Sequence, residues 1–158
     1  MNTSTQLQAE LKKVLWGQPW YGNSVYVTLT GITFDTANKR PPGGAHTIAE
    51  IVLHLISWTE EVIDRINEKP AGLPLGGDWP EPAVLDELKW NLYLDDLKLV
   101  NNNLLRVIQD FPEENWDQPI IDDRGEEPVV TYVQMVYGLI QHHIYHQGQI
   151  GLLVKMLS

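Results

Sequence analysis

The sequence lacks cysteine altogether and is poor in basic residues. The absence of cysteine excludes disulfide bonds, thiolate metal ligands and a cysteine nucleophile from this chain, and it is consistent with a reducing compartment. Only 11 lysines and arginines stand against 21 aspartates and glutamates, which gives a formal net charge of −10. Because so acidic a surface repels phosphate backbones, nucleic-acid binding is disfavoured.

Long apolar runs are also missing. No segment approaches the roughly 20 apolar residues that cross a bilayer, and no charged-then-apolar signal segment opens the chain. We therefore expect a cytoplasmic protein that does not associate with membranes. Hydrophobic residues still make up 43% of the 158 residues, which is ordinary for a globular protein, and the length is that of one domain spanning 1–158.

Apolar residues recur at spacings of three and four over most of the chain, which is the period of amphipathic helices. A strand remains an alternative for residues 22–31, where threonine and valine are common. Residues 34–39 are expected to form one short turn of helix. The pattern predicts longer helices over 3–16, 22–31, 47–67, 82–110 and from 131 to the C-terminus.

Helix start signals support this division. Thr47 with Glu50, and Thr131 with Gln134, match capping boxes, and Pro82 suits the first turn of a helix. Residues 117–130 are predicted to be irregular or to form a small hairpin. We predict an all-α four-helix bundle with this segment before the last helix. The long connections point away from a simple up-down-up-down order.

Three histidines have the spacing of a metal site. His142 and His146 lie four residues apart in the last helix, on the apolar face that also carries Leu139 and Ile150. Two imidazoles at this spacing can reach one metal ion. His54, on the inward stripe of the 47–67 helix, supplies a third ligand. Three imidazoles from two facing helices form a site with an open position for water or substrate.

A structural interpretation of the same histidines stays open. An inward histidine is usually a core residue that is hydrogen-bonded to a neighbour, and each buried imidazole needs its own partner. A shared metal ion satisfies all three, whereas a metal-free bundle needs three separate partners. His143 lies about 100° around the helix from His142 and is expected to be a packing or surface residue. His46 is expected to be a helix staple or a surface residue.

Other residues near these histidines also have two interpretations. Gly148 and Gly151 indicate close approach of another helix or, alternatively, room beside a metal ion. Glu50 lies one turn before His54 and is either the partner in the capping box or a hydrogen-bond partner of that histidine. Aromatic residues that line a pocket or belong to the core are Trp20, Trp58, Trp79 and Tyr145.

These motifs resemble those of the DinB/YfiT-like family. His142 and the segment His146-Gln147-Gly148-Gln149-Ile150 are similar to that family's closing helix. In the family, a histidine is followed after three residues by histidine, any residue, glycine, glutamine and isoleucine. Residues 45–58, which contain His54, resemble the family's second helix, and residues 19–24 resemble the aromatic-Gly-x-Ser stretch of a subgroup. Gln147 departs from the pattern, because arginine is common at that position.

The resemblance implies a four-helix bundle of DinB/YfiT type, often homodimeric, with a divalent metal ion held by His54, His142 and His146. Neutral imidazoles suit zinc or nickel. Members of the family have been grouped as metal-dependent hydrolases, and some are thiol S-transferases that use low-molecular-weight thiols such as bacillithiol or mycothiol. We therefore expect a metal-dependent hydrolase or thiol S-transferase acting on a small molecule. The alternative is a metal-binding, sensing or structural bundle without catalytic activity.

Overall fold

The computed structural model describes all 158 residues, and its regular structure is helical. Four helices are long, and two short ones lie in the connection between the first and second long helices. Their bounds are α1 Thr3–Leu15, α2 Val25–Leu29, α3 Phe34–Asn38, α4 Ile48–Ile66, α5 Glu87–Asp110 and α6 Tyr132–Leu157. None of these helices combines the length and the apolar character needed to span a membrane.

The four long helices form a bundle in which neighbours in sequence are not always neighbours in space. Both α1 and α4 pack against α5 and α6, so the order around the bundle is α1, α5, α4, α6. The connection over residues 16–47 therefore carries the chain diagonally across the bundle, with α2 packed on α6 on the way. The all-α four-helix bundle is confirmed, and a simple up-down-up-down order is excluded.

Helix starts agree closely with the capping signals. Thr47 Oγ1 accepts a hydrogen bond from the Glu50 amide at 3.1 Å, and Thr131 Oγ1 accepts one from the Gln134 amide at 3.3 Å. Both boxes are complete, because the Glu50 and Gln134 side chains also accept from the cap amides. Within 22–31 the chain is helical as α2, so the strand alternative is wrong.

The predicted start of the 82–110 helix is wrong by five residues. Pro82 lies in irregular chain, and α5 begins at Glu87, where the carboxylate of Asp86 accepts the Lys89 amide at 2.7 Å. Proline is merely compatible with the first turn of a helix, whereas an aspartate at the cap position stabilises the helix start by accepting from an otherwise unpaired amide. The misleading signal was Leu85, which is 7% exposed although it precedes the helix.

The segment before α6 is a minimal hairpin. A single antiparallel bridge joins Pro119 to Thr131, and Ile120 N donates to the Val130 carbonyl at 3.0 Å. In the loop that joins the two arms of the hairpin, Arg124 donates from Nε and Nη2 to the two carboxylate oxygens of Asp122 at 2.9 and 2.7 Å. These hydrogen bonds lower the pKa of Asp122 to about 2. The hairpin sets where α6 begins, because its second arm ends at the cap residue Thr131.

Two tryptophans anchor the core at its edges. Trp90 and Trp116 are almost fully buried, and each indole N–H has an acceptor: the Ile32 carbonyl at 2.8 Å and Ser4 Oγ at 3.0 Å respectively. A buried indole without such a partner would be costly. The first bond joins the diagonal connection to α5, and the second joins the segment before the hairpin to α1.

Candidate metal centre

Three histidines converge at the interface of α4 and α6. His54 on α4, and His142 and His146 on α6, each offer a nitrogen, and these atoms lie within 4.8 Å of one another. The ring centroids of His142 and His146 are 4.5 Å apart, as expected for neighbours one helical turn apart. The Nε2 atoms of His54 and His142 are 3.0 Å apart. The structure therefore brings together all three histidines predicted from sequence.

The spacing of these nitrogens suits a small divalent ion. Ligand bonds of about 2.0–2.1 Å in a tetrahedral site place neighbouring nitrogens about 3.3 Å apart. The His54–His142 separation of 3.0 Å is close to that value, and the nitrogen of His146 lies within 4.8 Å of both. His142 also carries a buried Nδ1 with no hydrogen-bond partner. The contact that a shared cation would satisfy is at the other ring nitrogen, because His142 Nε2 faces His54 Nε2 and an ion between two unprotonated imidazole nitrogens gives each of them a partner.

The backbone of the connection between α4 and α5 fixes the tautomer of His54. Its Nδ1 donates to the Asp78 carbonyl, so in the neutral ring Nε2 is the unprotonated nitrogen that faces His142. Metal-binding histidines commonly donate their second N–H to a carbonyl or carboxylate in this way. The Asp78 carboxylate also approaches, with Oδ1 3.4 Å from the same Nδ1.

Residues 76–79 of this connection are themselves fastened to α4. Ser57 Oγ donates to the Gly77 carbonyl at 2.6 Å, and Trp58 Nε1 donates to Asp78 Oδ1 at 2.8 Å. Three residues within two successive turns of α4, His54, Ser57 and Trp58, thus bind one short loop. The loop cannot move without breaking hydrogen bonds to the helix that carries the histidine.

His146 has an orienting partner on its own helix. Its Nδ1 donates to Gln149 Oε1 at 2.6 Å, which leaves Nε2 as the unprotonated nitrogen on the side of the other rings. The two residues are three apart and so lie on neighbouring positions of the helix surface. Both His54 and His146 are therefore held in the tautomer that presents Nε2 as a ligand.

Burial keeps the three imidazoles neutral. Desolvation lowers the pKa of His54, although hydrogen bonding to the Asp78 carbonyl opposes the shift. Desolvation lowers the pKa of His142 to about 4, with a further contribution from the nearby His146 and His54. The pKa of His146 is lowered for the same reason, against the effect of Gln149. Neutral imidazole is the form that binds metal ions.

The match to a known family agrees with this geometry. Residues 24–150 match the model of the DinB superfamily. The chain belongs to the DinB superfamily. No match was found among curated proteins or among solved structures. The matched region of this DinB-superfamily chain runs from α2 to residue 150 within α6 and therefore includes all three converging histidines.

In this DinB-superfamily chain, an indole forms one wall of the histidine cluster. Trp79 lies parallel to His54, with ring centroids 3.7 Å apart and planes 8° from parallel. His46 covers the opposite face of the same indole at 3.5 Å. His46 also bonds Glu50 Oε2 through Nδ1 at 2.7 Å and is half-exposed. The stack His46–Trp79–His54 shields one side of the cluster from solvent.

Cavities approach the cluster from two sides. One, of about 380 Å³, is lined by His54, His142, Trp58 and Arg65 among others. The second, of about 560 Å³, contacts His146 and its partner Gln149 and is otherwise largely apolar. Apolar side chains that line the second cavity are Pro41, Pro42, Ile51, Trp79, Tyr145, Leu152, Leu153 and Met156.

The remaining sequence predictions had mixed outcomes. His143 is a packing residue, as expected. The Glu50 carboxylate completes the capping box and also bonds Arg40 and His46; it does not bond His54. The close approach predicted at Gly148 is wrong, since that residue is exposed with nothing near its missing side chain. A Cβ on Gly151 would lie 3.9 Å from Thr28, an ordinary contact with α2.

Among the aromatic residues, Trp20 is fully exposed and lines neither cavity, whereas Trp58, Trp79 and Tyr145 do line them. Gln147, where the chain departs from the DinB-like motif, donates to Thr28 Oγ1 on α2 at 2.8 Å. Its amide is thus directed to a neighbouring helix, and the departure leaves the three histidines unaffected.

Sequence reasoning missed the residues that orient the histidines. Gln149 could have been found, because it stands three residues after His146 within the motif itself. Asp78 and Trp79 lie in an irregular connection, where no periodicity indicates which side chain or carbonyl faces α4. Their spatial relation to His54 becomes visible only in the folded chain.

Proposed function

We propose that the protein is a metal-dependent enzyme that acts on a small organic molecule, with His54, His142 and His146 binding one divalent ion, zinc or nickel. The observation that carries this proposal is the convergence of three neutral imidazoles from two helices beside open cavities. Membership of the DinB superfamily supports it. Three protein ligands with one open position are typical of catalytic rather than structural zinc sites.

The chemistry of such a site follows from its ligands. When bound, the ion acts as a Lewis acid that lowers the pKa of a water or thiol in its open position. Asp78 and Gln149 keep Nε2 of their histidines unprotonated and correctly oriented. The indole of Trp79 covers one face of His54 and excludes water there. No separate general base is needed where the nucleophile is already ionised.

Of the two reaction classes, we favour thiol S-transfer over hydrolysis. Transfer joins two organic molecules, and the two cavities reach different histidines, one at His54 and His142 and the other at His146. Hydrolysis needs room for a single organic substrate and a water. Binding of a low-molecular-weight thiol in one cavity and of an electrophile in the other would give each of the two cavities a role in the reaction.

Metal analysis of untagged protein tests the proposal. We expect about one zinc or nickel ion per chain in the natural protein and almost none in His54→Ala, His142→Ala or His146→Ala. After cobalt substitution, addition of a small thiol should shift the visible absorption. Absence of metal would leave a bundle with core histidines, whereas bound cobalt that responds to no thiol or electrophile would indicate a structural or sensing role.

We also propose a homodimer, which the resemblance implies. Tyr145, Leu152 and Met156 of α6, which also border the second cavity, are 64%, 60% and 55% exposed and form an apolar stripe of the kind that becomes an interface. Light scattering coupled to size exclusion gives the mass. A monomer at all concentrations would reject this part of the proposal and leave the enzymatic part unchanged.

A further inference from the structure

The cavity that reaches His54 and His142 extends along α4 to an arginine. His54, Trp58, Val62 and Arg65 follow one another at helical spacing and all line it. Arg65 is the one permanently cationic side chain among the lining residues. Its guanidinium carbon lies 5.8 Å from the centroid of the Trp58 ring, over the face of that indole. A fixed positive charge therefore stands at the end of the cavity opposite the histidines.

The hydrogen bonds of Arg65 leave one of its terminal nitrogens free. Nε donates to Glu61 Oε1 at 3.3 Å, and Nη2 donates to the Gly72 carbonyl at 2.8 Å. Nη1 donates to no protein acceptor. Because the side chain is only 10% exposed and rests on Trp58, the guanidinium is held in position before a ligand arrives.

The two carboxylates around this cavity, Glu61 and Asp78, each have a partner other than Arg65. Glu61, whose side chain is fully buried, also accepts the Gly72 amide at 3.3 Å and faces Lys69 Nζ at 3.6 Å. Its single negative charge is thus shared between two cations. Asp78, the one carboxylate that lines the cavity, accepts from Trp58 Nε1. The guanidinium consequently retains positive charge that an anionic ligand can use.

From this arrangement we propose that Arg65 binds a carboxylate of the substrate that occupies this cavity, while the reacting atom of the substrate lies at the histidines. The inference rests on the proposed function, since it takes the histidine end as the reacting end. Trp58 lies about 6 Å along the helix from His54, and the guanidinium lies 5.8 Å from the centroid of the Trp58 ring, so the two ends are on the order of 10 Å apart. The geometry selects an elongated acidic molecule over a compact or neutral one.

A matched pair of thiols tests the inference by binding alone. The probes are 6-mercaptohexanoate and its neutral analogue 6-mercaptohexanamide, which have the same length and differ in the terminal charge. Each is titrated into the cobalt-substituted protein, and the dissociation constant is obtained from the visible absorption. We expect the carboxylate probe to bind roughly tenfold more tightly to the natural protein, the effect of one charge-assisted hydrogen bond.

Variants assign the preference to Arg65. The double variant Glu61→Gln/Arg65→Gln removes the buried pair together and avoids leaving one charge alone. It should bind both probes equally, whereas Glu61→Gln should keep or increase the preference, because Arg65 then lacks its nearest carboxylate. Arg65→Lys, which keeps the ion pair, should lower the preference severalfold and serves as the readout where the double variant does not fold.

The outcomes separate this inference from the proposed function. Equal affinities of the two probes for the natural protein, or an unchanged preference in Glu61→Gln/Arg65→Gln or Arg65→Lys, would overturn the role of Arg65 and leave the metal centre intact. A cobalt spectrum that neither thiol changes would overturn the proposed function, and the substrate inference with it.

Discussion

Two adjacent histidines of α6 have opposite surroundings. His142 faces His54 and His146 and borders a cavity, whereas His143 is completely buried and bonds Asn101 Oδ1 through Nε2 at 2.9 Å. Asn101 Nδ2 in turn donates to the Leu97 carbonyl at 2.9 Å, which fixes the orientation of its amide. One residue of separation turns a side chain by about 100° around the helix. That rotation separates a candidate ligand from a structural residue.

The comparison shows that burial and a lowered pKa do not by themselves mark a functional histidine. Desolvation lowers the pKa of His143 to about 3, even further than that of His142. What distinguishes His142 is that its nearest polar neighbours are other imidazoles, beside a space that a ligand can enter. His143 instead has a protein acceptor and belongs to a chain of hydrogen bonds that ends on the α5 backbone.

The largest effect expected from this comparison is on metal binding. His142→Ala should lower metal affinity by more than about 100-fold, beyond the roughly 10–100-fold loss typical of removing a ligand's hydrogen-bond partner. Circular dichroism should show an unchanged fold. The matched control, His143→Ala, should keep about one metal ion per chain. Equal metal content in the two variants would show that His142 and His143 do not differ in their contribution to metal binding.

The second-largest effect is on stability, and here the substitution of His143 rather than of His142 is the informative one. His143→Ala should lower the free energy of unfolding of the metal-free protein by about 2–3 kcal/mol, because it opens a cavity and leaves Asn101 Oδ1 unpaired. Urea unfolding monitored by tryptophan fluorescence measures the change. A double-mutant cycle with Asn101→Ala should give a coupling of about 1 kcal/mol. Zero coupling would mean that the hydrogen bond contributes nothing.

A third, smaller effect concerns the partner of His146. Gln149→Ala should weaken metal binding by roughly 10–100-fold, because the ring of His146 loses the acceptor that fixes its tautomer. Gln147→Ala is the control, since that amide bonds Thr28 on α2. Competition with a chromophoric chelator gives both affinities. If both variants bound metal as the natural protein does, the orientation of His146 would not depend on Gln149.

The smallest effect is on the pH dependence of stability. Below about pH 6.5 the unfolded chain protonates His143, whereas the folded chain leaves it neutral until the pH approaches 3. Acidification therefore favours unfolding, and this residue alone lowers the stability of the metal-free protein by about 1.4 kcal/mol between pH 7.5 and 5.5. His143→Gln, which can still donate to Asn101, should show a decline that is shallower by that amount.

Urea unfolding of the metal-free protein at the two pH values provides the check. An identical acid limb for the natural protein and His143→Gln would mean that His143 takes up a proton in the folded state as readily as in the unfolded one. That result would contradict the complete burial of His143 and its hydrogen bond to Asn101.

Much of this architecture follows from periodicity and caps. The apolar spacing and the boxes at Thr47 and Thr131 locate α4 and α6, and the four-residue spacing of His142 and His146 places both on the face that meets His54. These features are local, so a sequence pattern can express them. The start of α5 was misjudged because Leu85 continues the apolar pattern outside the helix.

The parts that could not be predicted depend on contacts between distant segments. The Asp78 carbonyl is a backbone group in an irregular connection, and any residue type can supply one. The position of Trp79 between His46 and His54 depends on the path of the same connection. Arg65 reads as an ordinary helix-end cation until the cavity beside it is seen.

The fastening of residues 76–79 to α4 has a consequence for how the centre can be altered. A stretch that contributes no ligand sets the direction in which His54 presents its lone pair, and the same stretch carries the indole that covers the ring. We therefore expect that lengthening or shortening this connection changes how firmly the three imidazoles hold a metal ion, although every histidine stays in place.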